Sequence, residues 1–151
     1  LNNAGVVDRV PLMKIAERTS FKTFEDLQCR KQCRTLRLFI AKDLVPVLPR
    51  EERYRLGDQL LRAARSTTAN IAEGYGRFHY PDNAKFCSNA RGSCWEVLDH
   101  LITGNDEEFI STELLDRGRT LVGQSVKLLN GYMNYLKRAT GDNRNLTTDN
   151  R

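Results

Sequence analysis

Long apolar runs are absent from this 151-residue chain. None approaches the roughly 18 consecutive apolar residues of a membrane span, and the first ten residues lack the basic-then-hydrophobic order of an export signal. The expectation is a cytoplasmic protein with no membrane segment, although the chain opens on Leu1 and not on Met. With only 4 prolines and 10 glycines it is neither collagen-like nor low-complexity. Sustained two-residue alternation with β-branched enrichment is missing, which argues against strands. The 4 cysteines, Cys29, Cys33, Cys87 and Cys94, have neither C-x-x-C spacing nor an export signal beside them. They read as core-filling thiols in a reducing compartment, not as zinc ligands or disulfides. No G-x-x-x-x-G-K-[ST] phosphate loop, G-x-S-x-G elbow or H-E-x-x-H pair occurs, so no cofactor, no metal and no enzymatic activity are expected.

What is present is helical. Apolar residues make up 40% and charged residues 28%, enough to bury one core of ordinary size. Residues 1–20 are weakly periodic and read as an N-terminal arm. Thr23, with Glu25 and Asp26 behind it, caps a helix whose apolar face is Cys29, Cys33, Leu36, Ile40 and Leu44, ending before Pro46 and Pro49. A second helix begins after Pro49, carries Leu56, Leu60, Ala63, Thr67 and Ile71, and stops at the Gly74 and Gly76 pair. A third begins after Pro81, with Phe86, Ala90, Cys94, Val97 and Leu101 on one face, and breaks at Gly104 and Asn105. The fourth spans Thr112 to Ala139 on a spine of Leu115, Val122, Leu129, Met133 and Leu136. Leu121, Leu128, Tyr132 and Tyr135 widen that spine beyond the arc one core needs, which points to self-association. Trp95, Tyr132 and Tyr135 lie mid-helix among apolar residues and read as packing anchors. The expected fold is all-α, an antiparallel up-down four-helix bundle over residues 21–139, followed by a frayed tail over 140–151.

Charge is uneven. The net +5 comes from residues 1–80, which hold 15 Lys and Arg against 9 Asp and Glu, while residues 81–151 hold 9 against 10. Arg30, Arg34 and Arg37 recur at spacings of four and three on the first helix, and Arg55, Arg62, Arg65 and Arg77 add to them from the second. Guanidiniums in a row suit backbone phosphates, because each binds bidentately and stays charged. The plain alternative is a solvated face of local ion pairs to Glu51, Glu52 and Asp58. A second pattern is polar. Gln59, Arg62, Ser66, Asn70, Glu73 and Arg77 form one line on the second helix, and Asn89, Ser93, Glu96 and His100 a matching line on the third. Glu73, Glu96 and His100 could be taken as acid, base or ligand. However, the four-residue Glu96–His100 spacing and the total of 2 histidines do not fit a di-iron bundle. The residues Gln59, Ser66, Asn70, Glu73, Ser93, Glu96 and His100 are therefore expected to form a structural seam.

The run Arg62-Ala63-Ala64-Arg65-Ser66-Thr67-Thr68-Ala69-Asn70-Ile71-Ala72-Glu73-Gly74-Tyr75-Gly76-Arg77 resembles the signature of the bacterial 23S rRNA intervening-sequence proteins. Phe24-Glu25-Asp26-Leu27, Leu48-Pro49-Arg50-Glu51-Glu52, Arg91-Gly92-Ser93-Cys94-Trp95-Glu96 and Leu129-Asn130-Gly131-Tyr132 agree with it in the same order. The resemblance covers about residues 21–139. It implies an up-down bundle assembled as a homopentameric ring. It extends to the accessory variability proteins of diversity-generating retroelements, which bind nucleic acid and the element's reverse transcriptase. The expectation is a non-enzymatic, homo-oligomeric adaptor. Its partners would be further copies of itself, RNA or DNA, and by resemblance a reverse transcriptase with its template RNA. The rival from another class is a structural or protein-interaction bundle without a nucleic-acid role.

Overall fold

The computed structural model describes residues 22–148, with side chains to residue 141. The arm expected over residues 1–20 and the last three residues lie outside the described residues. Four long helices and no strand occur among those described: α1 (Gln28–Phe39), α2 (Leu56–Tyr75), α3 (Tyr80–Asp106) and α4 (Thr112–Thr148). None is long and apolar enough to cross a membrane.

Thr23 does cap, but it caps a separate 3-10 turn, Phe24–Asp26. Its hydroxyl accepts from the Glu25 amide, and its own amide donates to the Asp26 carboxylate at 3.1 Å. Leu27 is extended, so α1 starts only at Gln28. At its far end α1 widens into a π-helical turn, Ile40–Leu44, and then tightens into a 3-10 turn, Val45–Val47, around Pro46. The backbone adapts there while Ile40 and Leu44 stay buried. Helix α2 begins at Leu56, later than the prolines suggest, because Glu52–Tyr54 forms its own 3-10 turn and Arg55 leaves helical geometry. Arg53 stitches this connection by donating to the carbonyls of Leu48 at 3.1 Å and Pro46 at 2.8 Å.

Helix α2 does end at the Gly74 and Gly76 pair, with Gly76 as its C-cap, but Gly74 itself and Gly104, also expected as a stop, lie inside the last turns of their helices. Gly74 is buried in α2, where an added Cβ would meet the Asn83 side chain and Phe86 Cβ, each at 2.8 Å. Gly104 sits within α3, where a Cβ would come to 3.1 Å from Leu56. Both serve close approach between helices. The turn after α3 is instead made by Glu108, at φ 61°. Helix α4 runs past Ala139 to Thr148, so residues 140–148 are helical where a frayed tail was expected.

Helix α1 packs on α2 and α4, and α3 packs on the same two. The apolar stripes meet as anticipated in one core, with Leu36, Leu60, Ile71, Leu101, Leu129 and Leu136 essentially without solvent contact. Each such leucine contributes on the order of 2 kcal/mol through removal from water. All four cysteines are buried and free. Cys33 lies beside Cys94, Ser125 and Thr67, so each of the four helices contributes one small polar group to a layer within the core. Thr67 and Ser125 donate their protons to the carbonyls of Ala64 (2.7 Å) and Leu121 (2.9 Å) of their own helices.

Candidate nucleic-acid interface

The seven arginines singled out in the sequence divide into two groups. Arg55 pairs with Glu52 at 3.6 Å, Arg62 with Asp58 at 2.7 Å and Arg77 with Glu73 at 2.7 Å. The Arg62 and Arg77 pairs lie along α2 in solvent and the Arg55 pair spans the turn before it, each contributing under about 1 kcal/mol. The ion-paired face set against the phosphate reading is thus real for these three.

Arg30, Arg34, Arg37 and Arg65 are different. None of them forms an ion pair among the described residues. Arg37 is half-buried at the α1–α2 junction, where its Nη1 donates to Thr68 Oγ1 at 2.8 Å. Burial, and then the charges of Arg30, Arg34 and Arg65, pull its pKa below the usual arginine value. Four guanidiniums from two helices therefore share one electrostatic neighbourhood, and all remain cationic at neutral pH. The Arg30 guanidinium lies over the Phe24 ring, 5.4 Å from its centre, and its buried Nε has no hydrogen-bond partner among the described residues. Repulsion among like charges makes an anion the natural complement of this face.

A sequence signal for the split exists. Asp58 and Glu73 stand four before Arg62 and Arg77, and Glu52 stands three before Arg55, within reach on a helix. Arg34, Arg37 and Arg65 have no acidic residue three or four positions away. Asp26, four before Arg30, is engaged with the Thr23 amide across the break at Leu27. What spacing could not reveal is Thr68, or the approach of Arg65 to Arg37 across two helices.

The polar seam forms only in its middle. Ser93 donates to Ser66 at 2.9 Å across α2 and α3, and Asn70 donates back to Ser66 at 3.0 Å. Gln59 and Glu73 are exposed, and Glu73 is engaged with Arg77. Glu96 and His100 face each other along α3 at 3.7 Å. With Ser66 opposite Ser93, Glu73 and Glu96 lie about 15 Å apart along the helix axes, so the two carboxylates are not brought together. Among the described residues no group of three or more His, Cys, Asp and Glu is placed to hold a metal ion. Of the expected aromatic anchors only Tyr132 packs, accepting from Asn83 at 3.0 Å, while Trp95 and Tyr135 remain 51% and 58% exposed. They face outward because their positions fall outside the arcs that the neighbouring helices cover, α2 and α4 for Trp95 and α1 and α3 for Tyr135.

The sequence model of the family described as 23S rRNA-intervening sequence protein matches residues 25–131, from the 3-10 turn before α1 through α1, α2 and α3 and into α4. No curated protein matches the sequence.

Proposed function

Since the chain belongs to the 23S rRNA-intervening sequence protein family, we propose that it is a non-enzymatic, self-associating adaptor that gathers RNA or DNA by its phosphates. The observation that carries this reading is the cluster of Arg30, Arg34, Arg37 and Arg65, in which the other three stand near enough to Arg37 to lower its pKa and none of the four forms an ion pair among the described residues. An anionic polymer relieves the repulsion at every residue of the cluster at once.

The bundle is read as antiparallel and up-down. Support comes from the order of cross-helix contacts: Arg37 touches Thr68 while Lys22 meets Tyr75, and Asp43 pairs with Arg117 while Gln32 meets Gln124. Assembly into a homopentameric ring follows the family resemblance, and the exposed Leu128 and Tyr135 on α4 give it an apolar surface to use. By the same resemblance the nucleic acid would be the template RNA of a diversity-generating retroelement, with its reverse transcriptase as the protein partner.

A second reading, an interaction-only bundle, is favoured by the self-paired Arg55, Arg62 and Arg77. Two triple variants separate the readings. Exchanging Arg30, Arg34 and Arg37 for Glu should weaken binding to labelled RNA and DNA about equally at about 50 mM salt, leaving a residual affinity whose salt dependence can still be read. Exchanging Arg55, Arg62 and Arg77 for Gln should change affinity less than about threefold, since those charges are already compensated. Equal losses, or no binding by the unaltered protein, would leave the interaction-only reading.

A further inference from the structure

The most exposed aromatic residue among those described, Phe78 at 93%, stands in the turn between α2 and α3 with no core beneath it. A ring in water is unfavourable, and this one is not alone. The His79 ring meets it edge-on at 5.1 Å, and Tyr80, also exposed, begins α3. Phe78, His79 and Tyr80 line an open cleft of about 480 Å³ that reaches Thr140 on α4. A second hollow of about 300 Å³ shares Tyr80, Pro81 and Thr140 with the first and is floored by Leu136, with Lys137 at its edge. The two make one trough from the α2–α3 turn to α4, apolar and aromatic inside, with a lysine at its margin and no carboxylate among the described residues that line it.

The trough continues the cationic face. From Arg30 the surface passes to the Phe24 ring, from Phe24 to the Tyr75 ring at 6.4 Å, and from Tyr75 it is two residues to Arg77 and three to Phe78. Rings and arginines thus follow one another along one edge of the molecule, with Phe24 half-buried and Arg77 paired to Glu73, and proteins hold single strands by such a combination: charges follow the backbone and rings take the bases. In a duplex the base faces are stacked on one another and only their edges are offered, so an exposed ring has nothing to stack on.

We infer that the trough of Phe78, His79 and Tyr80, with Lys137 at its margin, is a stacking site for unpaired nucleobases, so that the bound nucleic acid is single-stranded where it crosses this end of the bundle. The site rests on the nucleic-acid reading above and adds to it a preference that phosphate contacts alone do not give.

The test compares a labelled 20-nucleotide single strand, its duplex, and an abasic strand of equal charge, by fluorescence anisotropy with the full chain. The unaltered protein should bind the single strand most tightly. Replacing Phe78 and Tyr80 together by Ala should weaken that complex about tenfold or more while leaving the duplex and the abasic strand within twofold and the salt slope unchanged. A 2-aminopurine placed in the single strand should change its emission on binding only when both rings are present. Equal binding of all three probes, or an Ala pair that binds the single strand as before, overturns the stacking site while the phosphate reading stands. A change in particle mass by light scattering in the Ala pair would assign the rings to contact between copies and also overturn it. Failure of the unaltered protein to bind any of the three probes would overturn both.

Discussion

Arg37 shows how one residue can belong to the fold and to the interface. Its hydrogen bond to Thr68 fixes the guanidinium between α1 and α2, and the same position places it among three other arginines. The buried thiols give the complementary lesson about groups that avoid charge. Burial above all pushes Cys29 up to about 12 and Cys87 to about 11. Below about pH 7.5 Cys29 and Cys87 are largely neutral both folded and unfolded, so these two leave stability nearly independent of pH. Above about pH 9 the unfolded chain releases their protons while the folded chain holds them, so stability falls as pH rises toward the folded values. By pH 9.5 each of the two thiols should cost about 1 kcal/mol relative to pH 7.5. Urea unfolding at the two pH values should show this loss, and replacing Cys29 and Cys87 by Ala should remove most of it. A midpoint that does not move would show that the thiols are hydrated in the fold. Their burial was legible in the apolar stripes, but the polar layer joining Cys33 to Cys94, Thr67 and Ser125 was not, because its members come from four separate helices.

At the scale of elements, helix boundaries depended on packing that no local pattern records. Gly74 reads as a terminator in sequence, but it sits inside α2, close against the start of α3. A methyl group there would press on Asn83 and Phe86, so Gly74→Ala should destabilise the protein by about 1 to 3 kcal/mol through overpacking, despite the better helix propensity of Ala. Thermal unfolding that shows a gain would mean that Gly74 serves only to end the helix. Apolar faces were read correctly on the helices, apart from Phe86, which is half-buried outside the core while Cys87 takes the buried position, because a stripe at spacings of three and four has one physical meaning once it is longer than a few turns. The α1 start was missed because the Thr23 cap belongs to a 3-10 turn, and the α2 start because Arg55 breaks the helix that the acidic residues after Pro49 suggest.

For the whole molecule, charge and apolar surface lie in different places. The cationic cluster occupies the α1–α2 side, while Leu128 and Tyr135, seven residues apart, lie exposed on α4 with Leu121 half-buried one heptad earlier. Association through α4 would leave the arginines outward and repeat them around the assembly. Light scattering at micromolar concentration should give a mass several times that of one chain, and a monomer would remove this part of the account. The arginine rows were visible in sequence, yet which of them stay uncompensated emerged only when the structure placed Arg65 beside Arg37 and paired the other three. That uncompensated charge is the central claim, and the salt dependence of nucleic-acid binding tests it most directly. If each protomer neutralises about three phosphates, log affinity should fall against log salt with a slope of about −2 to −3, steeper if several protomers engage one strand. Changing Arg30, Arg34 and Arg37 to Glu should flatten the slope with helix content and particle mass intact. An unchanged slope in that variant would contradict the account.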